Sequence, residues 1–202
     1  MGRKSLSRKR KKITPRVEKW LASLLIQLQN QNLENLTIDE IARIAGKSKS
    51  TIYEYFETKE DILLAACQTR IRSLFTILNE KQNIQGNATE IYMHLVETFT
   101  EGISDITLTF LHQIKEFYPK SWQEINTLTD SFIDVLKGLY KQGIEEGRYR
   151  PISIELLANL DKYFVTEVVT NASLFSDPKY SLVELVNDYL TLRITGISID
   201  QD

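Results

Sequence analysis

The stretch LTIDEIARIAGKSKSTIYEYFETK, residues 36–59, decides the fold, because its residues specify two short helices with a turn between them. Thr37 followed three residues later by Glu40 is a capping box, so a first helix is expected to start near Ile38. Gly46 can adopt the left-handed backbone that ends a helix. A sharp turn is therefore predicted at this glycine.

The second helix is expected to start after Ser48, a suitable N-cap, and to run to about Phe56. Ile52 and Phe56 form its inward stripe. The side chains left facing outward are Lys49, Ser50, Thr51, Tyr53, Glu54 and Tyr55. Helix, glycine turn and helix is the helix-turn-helix arrangement, whose second helix lies in the major groove. The outward face is predicted to read DNA, and the alternative is an ordinary pair of packed helices.

The longer stretch TIDEIARIAGKSKSTIYEYFETKEDIL, residues 37–63, resembles the DNA-binding domain of the tetracycline-repressor (TetR) family of bacterial transcription regulators. The recognition helix of that family typically ends in Tyr-x-x-Phe, and a lysine opens the next helix. Tyr53, Phe56 and Lys59 match this pattern. The resemblance covers about the first third of the chain.

This resemblance implies specific contacts with DNA. Phosphates would be held by Thr51, Tyr53 and Lys59, and the side chains near bases would be Lys49, Ser50, Glu54 and Tyr55. Thr37, Lys47 and Ser48 complete the predicted DNA-binding set. The chain departs from the family pattern at Lys47 and Glu54. Because Glu54 would repel a phosphate, it either accepts from a cytosine amino group or points along the groove.

A basic arm, residues 1–12, precedes the motif. Residues 1–20 contain nine basic residues and one acidic residue, whereas the net charge of the whole chain is −2. Such an arm is suited to phosphate contacts, because each neutralised phosphate releases counterions. A solvated tail is the alternative for residues 1–7. The sequence thus predicts nucleic acid as the partner of this end.

The composition predicts an all-α protein of about nine helices. In 202 residues, 42% are hydrophobic and 26% charged, with only 8 glycines and 4 prolines and no alternating strand pattern. We expect a three-helix DNA-binding domain at 13–60 and a helical ligand-binding and dimerisation domain at 61–202. The helix that begins at Lys59 continues past the first domain as a connecting rod. Later helices are expected near 89–102, 105–117, 121–146, 153–175 and 182–194.

Several other functions find little support in the sequence. The segment after the basic arm imitates a signal peptide but lacks a small-residue cleavage site, and no run of about 18 apolar residues predicts a membrane span. We therefore expect a cytoplasmic protein. His94 and His112 have no metal-ligand spacing, and no catalytic set or phosphate-binding loop is recognisable. Cys67 is expected to be a buried, unreactive thiol.

The middle helices are rich in aromatic residues that suit an apolar pocket. Candidate ligand-binding residues are Met93, Phe99, Phe110, His112, Phe117, Trp122 and Phe132. Aromatic residues at helical spacing are also typical of an ordinary core. The predicted effector is a small apolar or aromatic molecule, and no cofactor is expected.

The last two helices are predicted to form a dimer interface, because each is apolar over more of its girth than one partner can cover. The proposed interface residues are Leu157, Phe164, Val165, Val168, Ala172, Leu182, Val186 and Tyr189. Two copies about a two-fold axis would form a four-helix bundle and present two recognition helices to a palindromic site.

The sequence therefore predicts a homodimeric transcriptional regulator, a repressor released from palindromic operator DNA by a small ligand. The alternative is a helical adaptor that binds other proteins and uses its basic arm as a nonspecific DNA tether. An enzyme would need a catalytic group that the sequence does not offer.

Overall fold

The computed structural model describes residues 10–80, 85–171 and 181–199, and only the backbone of residues 77–80. These described ranges form nine α-helices with no β-strand, which confirms the predicted all-α class. A single antiparallel bridge joins Tyr149 to Ser198. No helix in the same ranges has the length and apolar character needed to cross a membrane.

The N-terminal half of the fold follows the predicted pattern closely. Its helices are α1 (Pro15–Leu28), α2 (Ile38–Ile44), α3 (Lys49–Tyr55) and α4 (Lys59–Glu80). Pro15 occupies the first turn of α1, where its missing N–H costs nothing. The long α4 begins directly after the α2–α3 pair and continues into the rest of the molecule, as the sequence predicts.

The remaining helices are α5 (Ala88–Gly102), α6 (Leu108–Phe117), α7 (Pro119–Glu145), α8 (Ile154–Tyr163) and α9 (Leu182–Ile197). The α6 helix starts later than predicted because Thr107 is its N-cap, and α7 starts earlier because Pro119 fits a first turn. The predicted helix over 153–175 is not one regular helix. A π-helical segment, Phe164–Val168, follows α8, and residues 172–175 lie outside the described ranges.

Buried apolar side chains form two clusters. The N-terminal cluster joins α1, α2 and α3 to the first half of α4, and it also includes Phe110, Ile114 and Tyr118 from the α6 region. The C-terminal cluster joins α5, α7, α8 and α9. The predicted boundary after residue 60 therefore falls inside the N-terminal cluster, since Ile62 and Leu63 of α4 are fully buried there.

Hydrogen bonds join the segment after α1 to the α6 region, and we call this set the α1–α6 seam. The amide N–H of Thr107 donates to the Gln29 side chain at 2.9 Å, and the Thr107 hydroxyl donates to the Gln29 carbonyl at 3.0 Å. The Leu33 carbonyl accepts from the Tyr118 hydroxyl at 2.6 Å, and the Leu33 N–H donates to Gln113 at 2.6 Å. The N-terminal helices are thus attached to α6 as well as to α4.

Candidate nucleic-acid interface and apolar cavity

The α2–α3 pair is held in place by the caps that the sequence predicts. Thr37 and Glu40 form the full capping box, and hydrogen bonds from the Thr37 side chain and backbone lower the pKa of Glu40. Gly46 has a φ of 62°, which explains why glycine stands at the turn. The Ser48 side chain accepts from the Thr51 N–H and so caps α3. Each cap depends on residues close in sequence, so local pattern predicts this geometry.

The outer face of α3 is open. Ile52 is fully buried and Phe56 is 4% exposed, so these two residues anchor the helix to the N-terminal cluster. The predicted DNA-binding residues divide by exposure: Thr37, Ser48, Lys49, Ser50, Tyr53 and Glu54 are exposed, whereas Lys47, Thr51, Tyr55 and Lys59 are half-buried. The structure therefore brings the predicted set together on and around one helix.

Glu54 does not project freely from α3. Its carboxylate accepts from the Lys11 ammonium at 2.8 Å, and its carbonyl accepts from the Lys11 backbone N–H at 2.8 Å. The hydrogen bond and charge of Glu54 raise the pKa of Lys11. Arg10 donates to the Tyr53 carbonyl and lies 4.0 Å from the Glu57 carboxylate. The end of the basic arm is thus attached to the C-terminal end of the recognition helix, a contact that sequence reasoning missed.

Two predicted DNA-contacting lysines also have partners within the chain. Lys49 pairs with Asp39 of α2 at 2.7 Å, and this hydrogen bond raises the pKa of Lys49. Lys59 donates to the Glu34 carbonyl at 2.8 Å, and its ammonium lies 5.8 Å from the centre of the Tyr118 ring. The Lys49 pair is exposed and easily exchanged, whereas Lys59 is held at the start of α4.

An apolar cavity of about 110 Å³ lies between α4, α6, α7, the π-helical segment and the start of α9. Its wall is formed by Leu25, Cys67, Arg70, Ile71, Leu74, Phe99, Ile103, Ile106, Phe110, Leu111, Ile125, Leu128, Thr129, Phe132, Val165, Val169, Leu182 and Val186. Arg70 is the charged member of this wall. A mostly apolar wall with few polar groups is the usual lining of a small-molecule site.

Three of the seven predicted ligand-binding residues line this cavity. They are Phe99, Phe110 and Phe132, and the Phe99 and Phe132 rings stack with centroids 4.4 Å apart. The structure does not bring the other four to its wall. Met93 is 44% exposed, and Phe117 and Trp122 pack against the N-terminal cluster. His112 is half-buried, and its Nδ1 lies 3.1 Å from the Thr170 carbonyl, within hydrogen-bond distance.

Two residues of α4, Cys67 and Arg70, line the cavity although the sequence pattern did not single them out as ligand contacts. They precede Ile71 and Leu74 at helical spacing, which is the signal that could have placed them on the same wall. Burial raises the pKa of the Cys67 thiol to about 12, so it stays protonated. Within the described ranges no group of three potential metal ligands is placed to hold an ion.

Most of the predicted dimer residues are covered, fully or in part, by this chain itself. Leu157, Phe164, Leu182 and Val186 are buried in the C-terminal cluster, and Val165, Val168 and Tyr189 are half-buried against it. Ala172 lies outside the described residues. The side chains left open on the same helices are instead Leu156 at 53%, Leu160 at 45%, Tyr163 at 60% and Leu192 at 73% exposure. The open apolar side chains of these two helices therefore differ from the residues predicted for the dimer interface.

A buried carboxylate ties these last helices together. Asp161 of α8 is 1% exposed and accepts from Tyr140, Tyr189 and Arg193 at 2.7, 2.7 and 2.8 Å. Burial raises the pKa of Tyr140 and of Tyr189, so both phenols remain donors. The Tyr189 ring also stacks on Phe164 with centroids 3.7 Å apart. Both the hydroxyl and the ring of Tyr189 therefore have partners within the same chain.

Comparison with known proteins agrees with this geometry. Residues 24–66 match the family described as bacterial regulatory proteins, tetR family. The chain is 27% identical over 164 residues to the fatty acid metabolism regulator protein of Bacillus subtilis (strain 168), covering 79% of this chain and 84% of that protein.

Solved structures share the fold. FadR from Bacillus subtilis in complex with stearoyl-CoA superposes with a TM-score of 0.65 at 22% identity, covering 89% of this chain and 98% of FadR. A transcriptional regulator from Saccharomonospora viridis in complex with choline has a TM-score of 0.71 at 17% identity, covering 93% of this chain and all of that one (100%).

The capped helix-turn-helix and the helical body behind it define a DNA-binding transcriptional regulator. The part of the chain that matches the TetR family of such regulators, residues 24–66, contains the α2–α3 pair.

Proposed function

We propose that the chain is a homodimeric repressor that leaves its operator when a fatty acyl effector enters the apolar cavity. This proposal rests on residues that the cavity wall shares with the N-terminal cluster. Leu25, Cys67 and Phe110 belong to the N-terminal cluster and also line the cavity. Because protein interiors are close-packed, a ligand that reshapes this wall must displace side chains that support the helix-turn-helix. Effector binding and DNA binding then favour different arrangements of the same residues.

The cavity wall supports a long apolar effector. Its side chains are almost all aliphatic or aromatic, and its charged member is the cation Arg70. Such a wall suits a fatty acyl chain, and the FadR structure was solved with stearoyl-CoA. A cationic effector of the choline type would find no acidic side chain among the described residues of this wall. The proposed effector is therefore an acyl compound such as a long-chain acyl-CoA.

The proposed DNA contacts follow the resemblance to the family. Thr51, Tyr53 and Lys59 hold phosphates, while Lys49, Ser50 and Tyr55 face bases from α3. Thr37, Lys47 and Ser48 flank this surface at the N-terminal ends of α2 and α3. The basic arm, residues 1–12, adds phosphate contacts beside the recognition helix, because Lys11 is attached to Glu54.

The proposed dimer uses α8 and α9, through the face that this chain leaves open. Leu156, Leu160, Tyr163 and Leu192 expose apolar surface that a second copy would cover. An isologous four-helix bundle closes on itself and presents two recognition helices to a palindrome, about 34–36 Å apart. We assign DNA binding to residues 13–60 and effector binding and dimerisation to residues 61–202. In this proposal the chain is a cytoplasmic regulator and not an enzyme.

The experiment begins by selecting short duplexes from a random pool with the full chain. The selected duplex is then titrated, by fluorescence anisotropy, with palmitoyl-CoA, acetyl-CoA and choline. We expect a palindrome to be selected and palmitoyl-CoA alone to release it. Selection of no palindrome would favour the adaptor alternative, and release by choline or by acetyl-CoA would contradict the proposed effector class.

A matched pair of variants separates cavity filling from general damage. Leu111→Trp places a larger ring at a half-buried position of the cavity wall, whereas Met93→Trp adds the same ring at an exposed position outside it. We expect Leu111→Trp to bind operator normally but to need much more palmitoyl-CoA for release. Met93→Trp should respond like the natural chain. Equal responses from both variants would show that the cavity is not the effector site.

A further inference from the structure

Arg70 is a charged residue in a cavity wall whose other described residues are uncharged. Its neighbours along α4 on that wall are Cys67, Ile71 and Leu74, and it is the only charged residue among the described residues that line the cavity. A guanidinium is costly to bury unless its N–H groups are hydrogen-bonded. The partners of each Arg70 nitrogen therefore indicate what the site is built to bind.

One end of the guanidinium is fully engaged within the chain. Nη2 of Arg70 donates to the Gly102 carbonyl at the end of α5, at 2.7 Å, and to the Asp105 carboxylate. Nε is different, because it is buried and has no hydrogen-bond partner among the described residues. A buried donor without an acceptor is destabilising, so an acceptor at this position would bind with a clear gain.

The other polar groups of the wall do not meet this need. The Thr129 hydroxyl donates to the Ile125 carbonyl of its own helix at 3.0 Å, and the Cys67 thiol is only a weak acceptor. The Arg70 side chain is 28% exposed and also forms part of the cavity wall, so it is in contact with both solvent and the cavity lining. A ligand with an apolar chain inside the cavity would bring the first atoms of its polar end to this residue.

We propose that Arg70 Nε donates a hydrogen bond to the carbonyl oxygen at the head of the effector's acyl chain. This inference rests on the proposed function and adds the residue that recognises the carbonyl. The shared chemistry is a carbonyl oxygen joined to a long apolar chain, whether it comes from a thioester or from a free carboxylate. Nη2 keeps its bonds to Gly102 and Asp105, which hold the guanidinium in place for the ligand.

The test compares two ligands that differ in one oxygen. Palmitoyl-CoA has a thioester carbonyl, and S-hexadecyl-CoA has the same chain on a thioether without it. Binding of each to the full chain is measured by titration calorimetry, with palmitate as a third ligand. We expect the natural chain to prefer palmitoyl-CoA by about tenfold to a hundredfold, the usual value of a hydrogen bond to a charged group.

Two variants assign that preference to Arg70. Arg70→Met keeps much of the side-chain length but removes every donor, so it should bind the thioester and the thioether about equally. Arg72→Met removes an exposed guanidinium of the same helix that does not line the cavity, so it should keep the preference. Thermal unfolding of each variant establishes that it is folded before the ligands are compared.

The outcomes separate this inference from the proposed function. If the natural chain binds both CoA compounds equally, or if Arg70→Met keeps the preference, the role of Arg70 is wrong while the effector class stands. If neither CoA compound nor palmitate binds, the effector class itself is wrong and the inference falls with it. Palmitate binding as tightly as palmitoyl-CoA would identify a free carboxylate as the natural source of the carbonyl.

Discussion

Lys11 holds Glu54 by two bonds, one from its backbone N–H to the Glu54 carbonyl and one from its ammonium to the Glu54 carboxylate, both 2.8 Å long. The pair holds Lys11, at the end of the basic arm, against the recognition helix. It also gives Glu54, an unusual residue for a DNA-binding surface, a partner within its own chain. We therefore expect Glu54 to orient the arm and not to read a base.

Replacing Glu54 by Gln should strengthen binding to all duplexes at low salt without changing the preferred sequence. The reason is that Lys11 becomes free to neutralise one more phosphate, which should steepen the salt dependence of binding by about 0.9 in the log–log slope. Binding is measured by anisotropy across a salt series with the selected operator and with scrambled duplexes.

Glu145→Gln is the control, because it removes the same charge at an exposed position of α7. It should leave the salt slope unchanged. A Glu54→Gln protein that tolerated a new base at one operator position would show that Glu54 accepts a hydrogen bond from a base after all.

Lys49→Ala and Lys59→Ala should impair DNA binding in different ways, the first in sequence preference and the second in overall affinity. Lys49 is exposed on α3 and exchanges its Asp39 partner easily, so losing it should cost about 1–3 kcal/mol of discrimination at one base pair. Lys59 at the start of α4 should contact phosphate, so its loss should weaken binding to every sequence and flatten the salt slope by about 0.9. Repeating the duplex selection with each variant measures both effects. A changed consensus for Lys59→Ala, with an unchanged slope, would reverse the assignment of roles.

Leu160→Asp should convert the dimer to monomers and abolish operator binding, although it changes no proposed DNA contact. Leu160 is 45% exposed on α8, so a carboxylate there is tolerated in one chain but would be buried without a partner between two. Sedimentation velocity gives the oligomeric state, and Met93→Asp, at a similarly exposed position on α5, is the control. A Leu160→Asp protein that remains dimeric would place the interface elsewhere. Val186→Asp is a poorer test, because Val186 is only 5% exposed and its charge would damage the monomer.

Asp161→Ala should lower the free energy of unfolding by about 3–5 kcal/mol, because it leaves the Arg193 guanidinium in a mostly buried site without its carboxylate. Asp130→Ala is a matched control. It removes an ion pair of similar length, 2.6 Å to Lys162, between side chains that are each about half exposed, and should cost about 0–1 kcal/mol. Urea unfolding monitored by circular dichroism measures both. Similar losses for the two variants would mean that burial of Asp161 contributes little.

The helix-turn-helix could be predicted from sequence because its determinants are local. Thr37, Gly46 and Ser48 act on residues within a few positions, so their spacing alone predicts two helices and a turn. The partner of Glu54 could not be predicted in this way. Lys11 is 43 residues away in the chain, and only the folded N-terminal helices bring the two together.

The side of α9 that stays open also could not be predicted from the sequence. Val186 and Leu192 are both apolar residues of α9, and periodicity gives no reason to prefer either as the exposed one. The choice depends on which side of the helix the C-terminal cluster covers, and that side includes Val186. The π-helical segment after α8 further changes which residues face the core, since it adds a residue to the turn.

The α1–α6 seam limits how the recognition helix can move. A body attached at one place can swing in any direction, whereas a body attached at two places can turn only about the line that joins them. The N-terminal helices are attached through α4 and through the bonds of Gln29 and Leu33 to the α6 region. We therefore expect these helices to move mainly by one rotation. In the proposed dimer, that single angle would set the distance between the two recognition helices, so a small change in the cavity would bring them out of register with successive turns of the operator.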